Sequence, residues 1–126
     1  MWVDQKDIQR NNQKYMGETQ MANQIYQKLV RDRIPEIIRS DGKICITEVL
    51  SETRYLEMLD AKLTEELAEY QESKSLEELA DLLEVMRGVV KARGWTWEQL
   101  EQVRQEKAAQ RGGFEKKILL KEVIER

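Results

Sequence analysis

The sequence contains no histidine and only one cysteine, Cys45. The absence of histidine excludes a Ser-His-Asp triad, a histidine-liganded zinc ion and the Glu-x-x-His di-iron pattern of carboxylate bundles. A lone cysteine cannot form a disulfide within the chain, which favours a reducing cytoplasm. No apolar run approaches the roughly 20 residues of a membrane-spanning helix, and the N-terminus lacks a signal-peptide core. We therefore expect a cytoplasmic protein with no membrane partner.

Proline, glycine and aromatic residues are also scarce, with one proline, six glycines and 6% aromatics in 126 residues. This composition predicts an all-α protein whose helices are separated by few breaks. The 21 basic and 24 acidic residues nearly balance, which gives no support for general nucleic-acid binding. We expect residues 23–126 to form a single helical domain. Residues 1–22 are polar and lack an apolar period, so a loosely ordered extension is predicted there.

Three stretches have the pattern of long helices, and Pro35 is well placed at the start of a short one. The first long helix follows Ser51 and carries its leucines at spacings of three and four. The second follows a break at residues 73–75 and has an apolar arc wider than half its circumference, typical of burial on several sides or of an oligomer interface. The third begins with a capping box at Thr96 and continues to about Arg111.

Two short segments have sequence patterns typical of strands or extended chain and not of helices. Residues 43–49 are rich in β-branched side chains with partial alternation, which favours a short strand or an extended arm. Residues 114–120 have the pattern of a strand or an extended tail that could pair with the first segment. The expected fold is therefore a helical bundle with two short extended segments.

Carboxylates recur at a spacing of three on the two central helices, and this spacing places side chains on one helical face. Projection of the first helix places Glu66 on the shoulder of the leucine stripe and Glu69 about 60° further round, while Glu65 points away. On the second helix Glu78 projects into the apolar arc and Asp81 lies at its edge. The four acids that could converge on one pocket are Glu66, Glu69, Glu78 and Asp81.

These acids have plainer explanations. Glu65, Glu77 and Glu84 fit a solvated helix face, and Ser75-x-x-Glu78 fits a capping box in which Glu78 bonds back to the Ser75 N–H. A converging acid cluster would instead need a cation for stability. Carboxylate oxygens suit Mg²⁺, or alternatively Mn²⁺, and Mg²⁺ usually works together with substrate phosphates. The basic residues that could meet such phosphates are Lys28, Arg31, Arg33, Lys107, Arg111, Lys116 and Lys117.

The paired acidic motifs Glu65-Glu66-x-x-Glu69 and Glu77-Glu78-x-x-Asp81 resemble the signature of the MazG-like all-α nucleoside triphosphate pyrophosphohydrolases. The segments Lys28-Leu29-Val30-Arg31-Asp32-Arg33-Ile34-Pro35 and Lys107-x-x-x-Arg111-Gly112-Gly113-Phe114 are similar to the phosphoribosyl-ATP pyrophosphohydrolase-like branch. The resemblance covers about residues 25–120. The acidic motif alone is moderately specific, and the three segments in this order are more so.

The resemblance implies a Mg²⁺-dependent enzyme that hydrolyses a nucleoside triphosphate, or a related nucleotide, to the monophosphate and pyrophosphate, with a house-cleaning role toward non-standard nucleotides. It implies assembly as a homodimer or homotetramer. The implied metal ligands are Glu66, Glu69, Glu78 and Asp81, the candidate bases are Glu65 and Glu69, and the candidate phosphate ligands are Lys28, Arg31, Arg33, Lys107 and Arg111. Two alternatives stay open: a non-catalytic helical dimer that binds nucleotide or protein, and a dedicated phosphoribosyl-ATP hydrolase.

Overall fold

The computed structural model describes residues 23–126, and within them the chain forms four helices and no strand. The all-α prediction is therefore confirmed for this part of the chain. The predicted N-terminal extension, residues 1–22, lies outside the described residues. None of the helices between residues 23 and 126 combines the length and apolar character required to cross a bilayer.

The first helix, α1 (Ile34–Ser40), is short and begins with Pro35 in its first turn, as predicted. Proline is suited to this position because the first N–H groups of a helix have no partner within the helix. The turn before α1 is closed by a bond from the Ile34 N–H to the Arg31 carbonyl at 3.0 Å. This turn joins α1 to the cationic segment that precedes it.

The centre of the fold is a hairpin of two long helices, α2 (Glu52–Ser73) and α3 (Leu76–Ala92). Lys74 ends α2 in the left-handed conformation, with φ 56°, and its N–H donates to the Tyr70 carbonyl. Ser75 then caps α3 by accepting a bond from the Glu78 N–H. Because only two residues link the helices, α3 turns back immediately and packs along α2.

The register of this hairpin is visible at its far end. Gly88 of α3 lies so close to α2 that a Cβ atom placed on it would be 3.1 Å from the Leu59 Cδ2. Further along, the Arg93 guanidinium bonds the Asp60 carboxylate at 3.1 Å. The absence of a side chain at Gly88 therefore lets the two helices approach closely, and the resulting antiparallel register places the acidic segments opposite each other at the hairpin end.

The last helix, α4 (Trp97–Arg111), begins with the predicted capping box. The Gln99 N–H donates to Thr96 Oγ1, and the Thr96 N–H donates to Gln99 Oε1. The Arg87 guanidinium of α3 lies over the Trp97 ring, 4.9 Å from its centroid, a cation–π contact between the two helices. Helix α4 thus packs against α3 near its start and ends at Arg111, before Gly112.

The two segments with strand-like patterns do not form strands. Residues 43–49 and 114–120 have no regular secondary structure, and no β-ladder joins them within the described chain. Ile44 and Ile46 are almost fully exposed, as is Phe114. The suggested pairing of these segments is therefore wrong. Alternating β-branched residues need a neighbouring strand to form a sheet, and the all-helical fold of residues 23–126 offers none.

The apolar interior of the described chain is small. Leu59 is 4% exposed and Val90 is 8% exposed, and these are its only fully buried apolar side chains. One apolar stripe of α3, at spacings of three and four, is exposed: Leu76, Leu79, Leu83 and Met86. The wide apolar arc predicted for this helix is thus covered on only part of its circumference by residues 23–126.

Candidate metal centre

Three carboxylates from the two hairpin helices converge near the α2–α3 turn. Glu66 of α2 and Glu78 and Asp81 of α3 each place one oxygen within 4.8 Å of the other two. The spacing of three along α3 puts its two acids on one face, and the antiparallel register brings Glu66 opposite them. The structure therefore gathers three of the four predicted metal ligands.

The environment of Glu66 is unfavourable for its negative charge. Its side chain is only 12% exposed. Burial raises the pKa of the Glu66 carboxyl, and the nearby Asp81 and Glu65 raise it further, while Lys62 acts in the opposite direction. Desolvation disfavours the charged form of a carboxylate, and so do neighbouring negative charges. A bound cation would relieve both effects.

The predicted capping box at Ser75 is present in its serine half, and the Ser75 N–H, which was predicted to bond the Glu78 carboxylate, bonds Ser73. Ser75 Oγ accepts a bond from the Glu78 N–H at 3.4 Å, which is the serine half of a capping box. The Ser75 N–H donates to Ser73 Oγ at 3.3 Å. The Glu78 carboxylate lies among the converging acids. The cap and the acid cluster therefore use different atoms of Glu78 and are compatible with each other.

Glu69, the fourth predicted ligand and a candidate base, has a different position. It is not a member of the three-carboxylate group. With 6% exposure it is the one fully buried charged residue among residues 23–126. A buried carboxylate needs compensating charge or hydrogen bonds. Glu69 therefore belongs to the interior of the hairpin, one helical turn from Glu66.

Glu65 does not face open water, although the helical projection pointed it away from the core. Its Oε1 atom lies 3.0 Å from the Lys28 Nζ and 3.4 Å from the Lys62 Nζ. All three side chains are largely covered, with exposures of 22% for Lys28, 19% for Lys62 and 23% for Glu65. The extended segment before α1 covers this side of α2 and supplies Lys28.

Lys62 was not among the candidates drawn from the sequence. Its Nζ also lies 3.5 Å from Glu66 Oε1, so one ammonium group contacts two adjacent carboxylates. The signal was present, because Lys62 precedes Glu65 by three residues and Glu66 by four, the spacings at which side chains meet on a helix.

Arg31 connects the segment before α1 to α3. Its guanidinium bonds the Asp81 carboxylate at 2.7 Å, across 50 residues of sequence. Both side chains are about half exposed. Arg31 can therefore hold one of the converging acids in place, and its guanidinium lies at the edge of the site, where a phosphate group could also reach it.

The other predicted phosphate ligands form no ion pair with Glu66, Glu78 or Asp81 within residues 23–126. Arg33 is highly exposed and pairs with Glu36 in the first turn of α1. Lys107 and Arg111 are exposed toward the end of α4. In the described part of the chain, neither the Lys107 nor the Arg111 side chain has an ion pair with the acid cluster. Of the predicted phosphate ligands, Arg31 therefore pairs with an acid of the cluster, and Lys28 pairs with the neighbouring Glu65.

The donor set fits a hard divalent cation. Oxygens that share one Mg²⁺ at about 2.1 Å lie no more than about 4.2 Å apart, so oxygens within 4.8 Å of one another need only small side-chain rotations. An all-carboxylate set is typical of Mg²⁺ or Mn²⁺ and not of zinc. Three carboxylates that converge near Lys62 and Arg31 retain excess negative charge, which a divalent cation would balance.

No family model matches the chain, and no solved structure matches it. An uncharacterized protein of Mycolicibacterium smegmatis is 55% identical over 42 residues, which are 33% of this chain and 43% of that protein. The chain thus spans less than half the length of that relative.

Proposed function

We propose that the protein is a Mg²⁺-dependent nucleoside triphosphate pyrophosphohydrolase of the MazG-like type, which releases pyrophosphate and a nucleoside monophosphate. The observation that supports this proposal most directly is the convergence of Glu66, Glu78 and Asp81 from two antiparallel helices. The motifs predicted this geometry, and basic residues adjoin it. House-cleaning of non-standard nucleotides is the proposed role.

In this proposal Glu66, Glu78 and Asp81 hold the cation, and Mn²⁺ could replace Mg²⁺. A divalent cation, when bound there, supplies charge neutralisation of the phosphates and activation of water as a nucleophile. Arg31 holds Asp81 in place at 2.7 Å and presents its remaining N–H donors to the phosphates. The buried side chain of Glu69 lies one helical turn from Glu66 on α2.

The structure distinguishes the two candidate bases by their contacts. Glu65 contacts two ammonium groups through one oxygen, so this oxygen is engaged in ion pairs and is less accessible to a water molecule. Glu69 is therefore the better candidate of the two. Its position one turn from Glu66 places it beside the proposed metal ligands.

A homodimer or homotetramer is also proposed. The exposed stripe of α3 (Leu76, Leu79, Leu83 and Met86) supports it, because contiguous apolar surface of this kind marks interfaces. The same stripe favours a second candidate function, a non-catalytic helical module that binds a protein partner. The two candidates differ in whether the acid cluster has a catalytic role.

The test is a nucleotide panel. Purified protein is incubated with canonical and modified nucleoside triphosphates and Mg²⁺, and pyrophosphate is measured. The proposal expects release from at least one nucleotide, suppression by EDTA and loss in Asp81→Asn. A matched Glu84→Gln variant, changed at an exposed acid of α3, should retain activity. Release of no pyrophosphate from any nucleotide would reject the enzyme and favour the binding module.

A further inference from the structure

Lys62 and Lys28 form an unusual pair because both ammonium groups contact the same oxygen, Glu65 Oε1, at 3.4 and 3.0 Å. The i,i+3 pair of Arg54 and Glu57 is, by contrast, well exposed on both sides. The lysine pair is largely covered and joins parts of the chain that are 37 residues apart. Partly covered charges are screened less by solvent and salt than exposed ones.

Lys62 also contacts a second carboxylate. Its Nζ lies 3.5 Å from Glu66 Oε1. Glu66 is at the same time one of the three converging acids. Lys62 and a divalent cation would therefore compete for the same carboxylate.

We propose that Lys62 and Lys28 form a phosphate-binding subsite, which becomes available when a divalent cation displaces Lys62 from Glu66. Glu65 is then a positioning residue that holds both lysines beside the metal ligands. This inference rests on the proposed function, since it places a phosphate group of the substrate at the subsite. Lysine suits this role because its ammonium group sits on a flexible stem and can change partners.

The displacement distinguishes a subsite from a permanent counter-ion. If Lys62 competes with the cation, its removal should tighten metal binding, because Glu66 loses a competing partner. If Lys62 also binds phosphate, the same removal should weaken anion binding. A lysine with a purely structural role would not change the two affinities in opposite directions.

The experiment uses the full-length chain and the variants Lys62→Met and Lys28→Met. Binding of Mn²⁺ alone is measured by electron paramagnetic resonance, and binding of inorganic pyrophosphate at saturating Mn²⁺ is measured by calorimetry. In Lys62→Met we expect tighter Mn²⁺ binding and pyrophosphate affinity lower by roughly 10-fold, the scale of a lost charge-assisted hydrogen bond. In Lys28→Met we expect a similar loss for pyrophosphate and little change for Mn²⁺, because the Lys28 ammonium pairs with Glu65, which lies outside the group of three converging carboxylates.

Lys91→Met is the matched control, since Lys91 is exposed in the last turn of α3, and both affinities should remain unchanged. Unaltered pyrophosphate binding in folded Lys62→Met would overturn the subsite. If that variant does not fold, Lys28→Met decides, because Lys28 lies outside the helices. If the protein hydrolyses nucleotide and both lysine variants bind pyrophosphate normally, the subsite is rejected and the proposed enzyme activity is not. Opposite changes in the two affinities without any turnover support the subsite and reject the enzyme.

Discussion

Replacement of Glu66 by glutamine should stabilise the protein without metal and weaken its response to metal. Glutamine keeps the size of the side chain and removes its charge. The Glu66 oxygen lies within 4.8 Å of two other carboxylate oxygens, and burial raises the pKa of its carboxyl. A negative charge on Glu66 therefore destabilises the folded protein when no cation is bound.

The size of the effect follows from the distances. At 4.8 Å, two unit charges repel by about 3 kcal/mol at an effective dielectric of about 20, and by about 1 kcal/mol in bulk water. The attraction of Lys62 at 3.5 Å offsets part of this repulsion. We expect a net gain of about 1 kcal/mol for metal-free Glu66→Gln, which raises the melting temperature by about 3 to 5 °C in a domain of this size.

The metal response should change in the opposite sense. A ligand at about 100 times its dissociation constant stabilises a protein by about 2.7 kcal/mol, and Glu66→Gln removes one of the charged ligands. Thermal unfolding followed by circular dichroism, with EDTA or with Mg²⁺, should therefore show the variant melting above the wild type without metal and gaining less when metal is added. Glu84→Gln, at an exposed acid of α3, should follow the wild type in both conditions. A lower metal-free melting temperature for Glu66→Gln, or an equal metal response, would refute the reasoning.

Three further predictions concern pH, helix packing and assembly. Because burial raises the pKa of Glu66, protons should compete with metal at a higher pH than for an ordinary glutamate, and Mn²⁺ affinity should begin to fall above the pH range in which an ordinary glutamate takes up its proton. A profile that is flat down to that range would contradict this. The metal-free fold should gain stability as the pH falls and Glu66 takes up its proton. Gly88→Leu should destabilise the hairpin by about 1–3 kcal/mol through overpacking against Leu59, and this should lower the denaturation midpoint. The control is Gly113→Leu, where a Cβ meets no atom within 4 Å, and this variant should change the midpoint little. Leu79→Asp combined with Leu83→Asp should reduce the mass measured by light scattering to that of a monomer, and an unchanged mass would place the interface elsewhere.

The helices could be predicted from the sequence because their signals are local. The leucines at spacings of three and four identify α2, and the Thr96 capping box marks the start of α4. Ser75 marks the start of α3 in the same way. The convergence of Glu66 with Glu78 and Asp81 was also accessible, since a two-residue link between helices forces an antiparallel hairpin.

Two features depend on interactions between distant parts of the chain. Strand character in residues 43–49 and 114–120 depends on a partner strand, and the described chain provides none. The position of Lys107 and Arg111 relative to the acids depends on how α4 packs against the hairpin, and their role as phosphate ligands stays a prediction. Local pattern carries no information about either arrangement.

Glu65 shows most clearly what a helical projection leaves out. The projection gives the angle of a side chain relative to the apolar stripe of its own helix, and Glu65 does lie away from that stripe. It cannot show that an extended segment covers this side of α2, where Lys28 meets Glu65 at 3.0 Å. Three residues later the same segment reaches α3, where Arg31 meets Asp81 at 2.7 Å. The cationic segment therefore spans both helices of the hairpin, so its positive charges are set beside the converging acids by the same contacts that hold it to the fold.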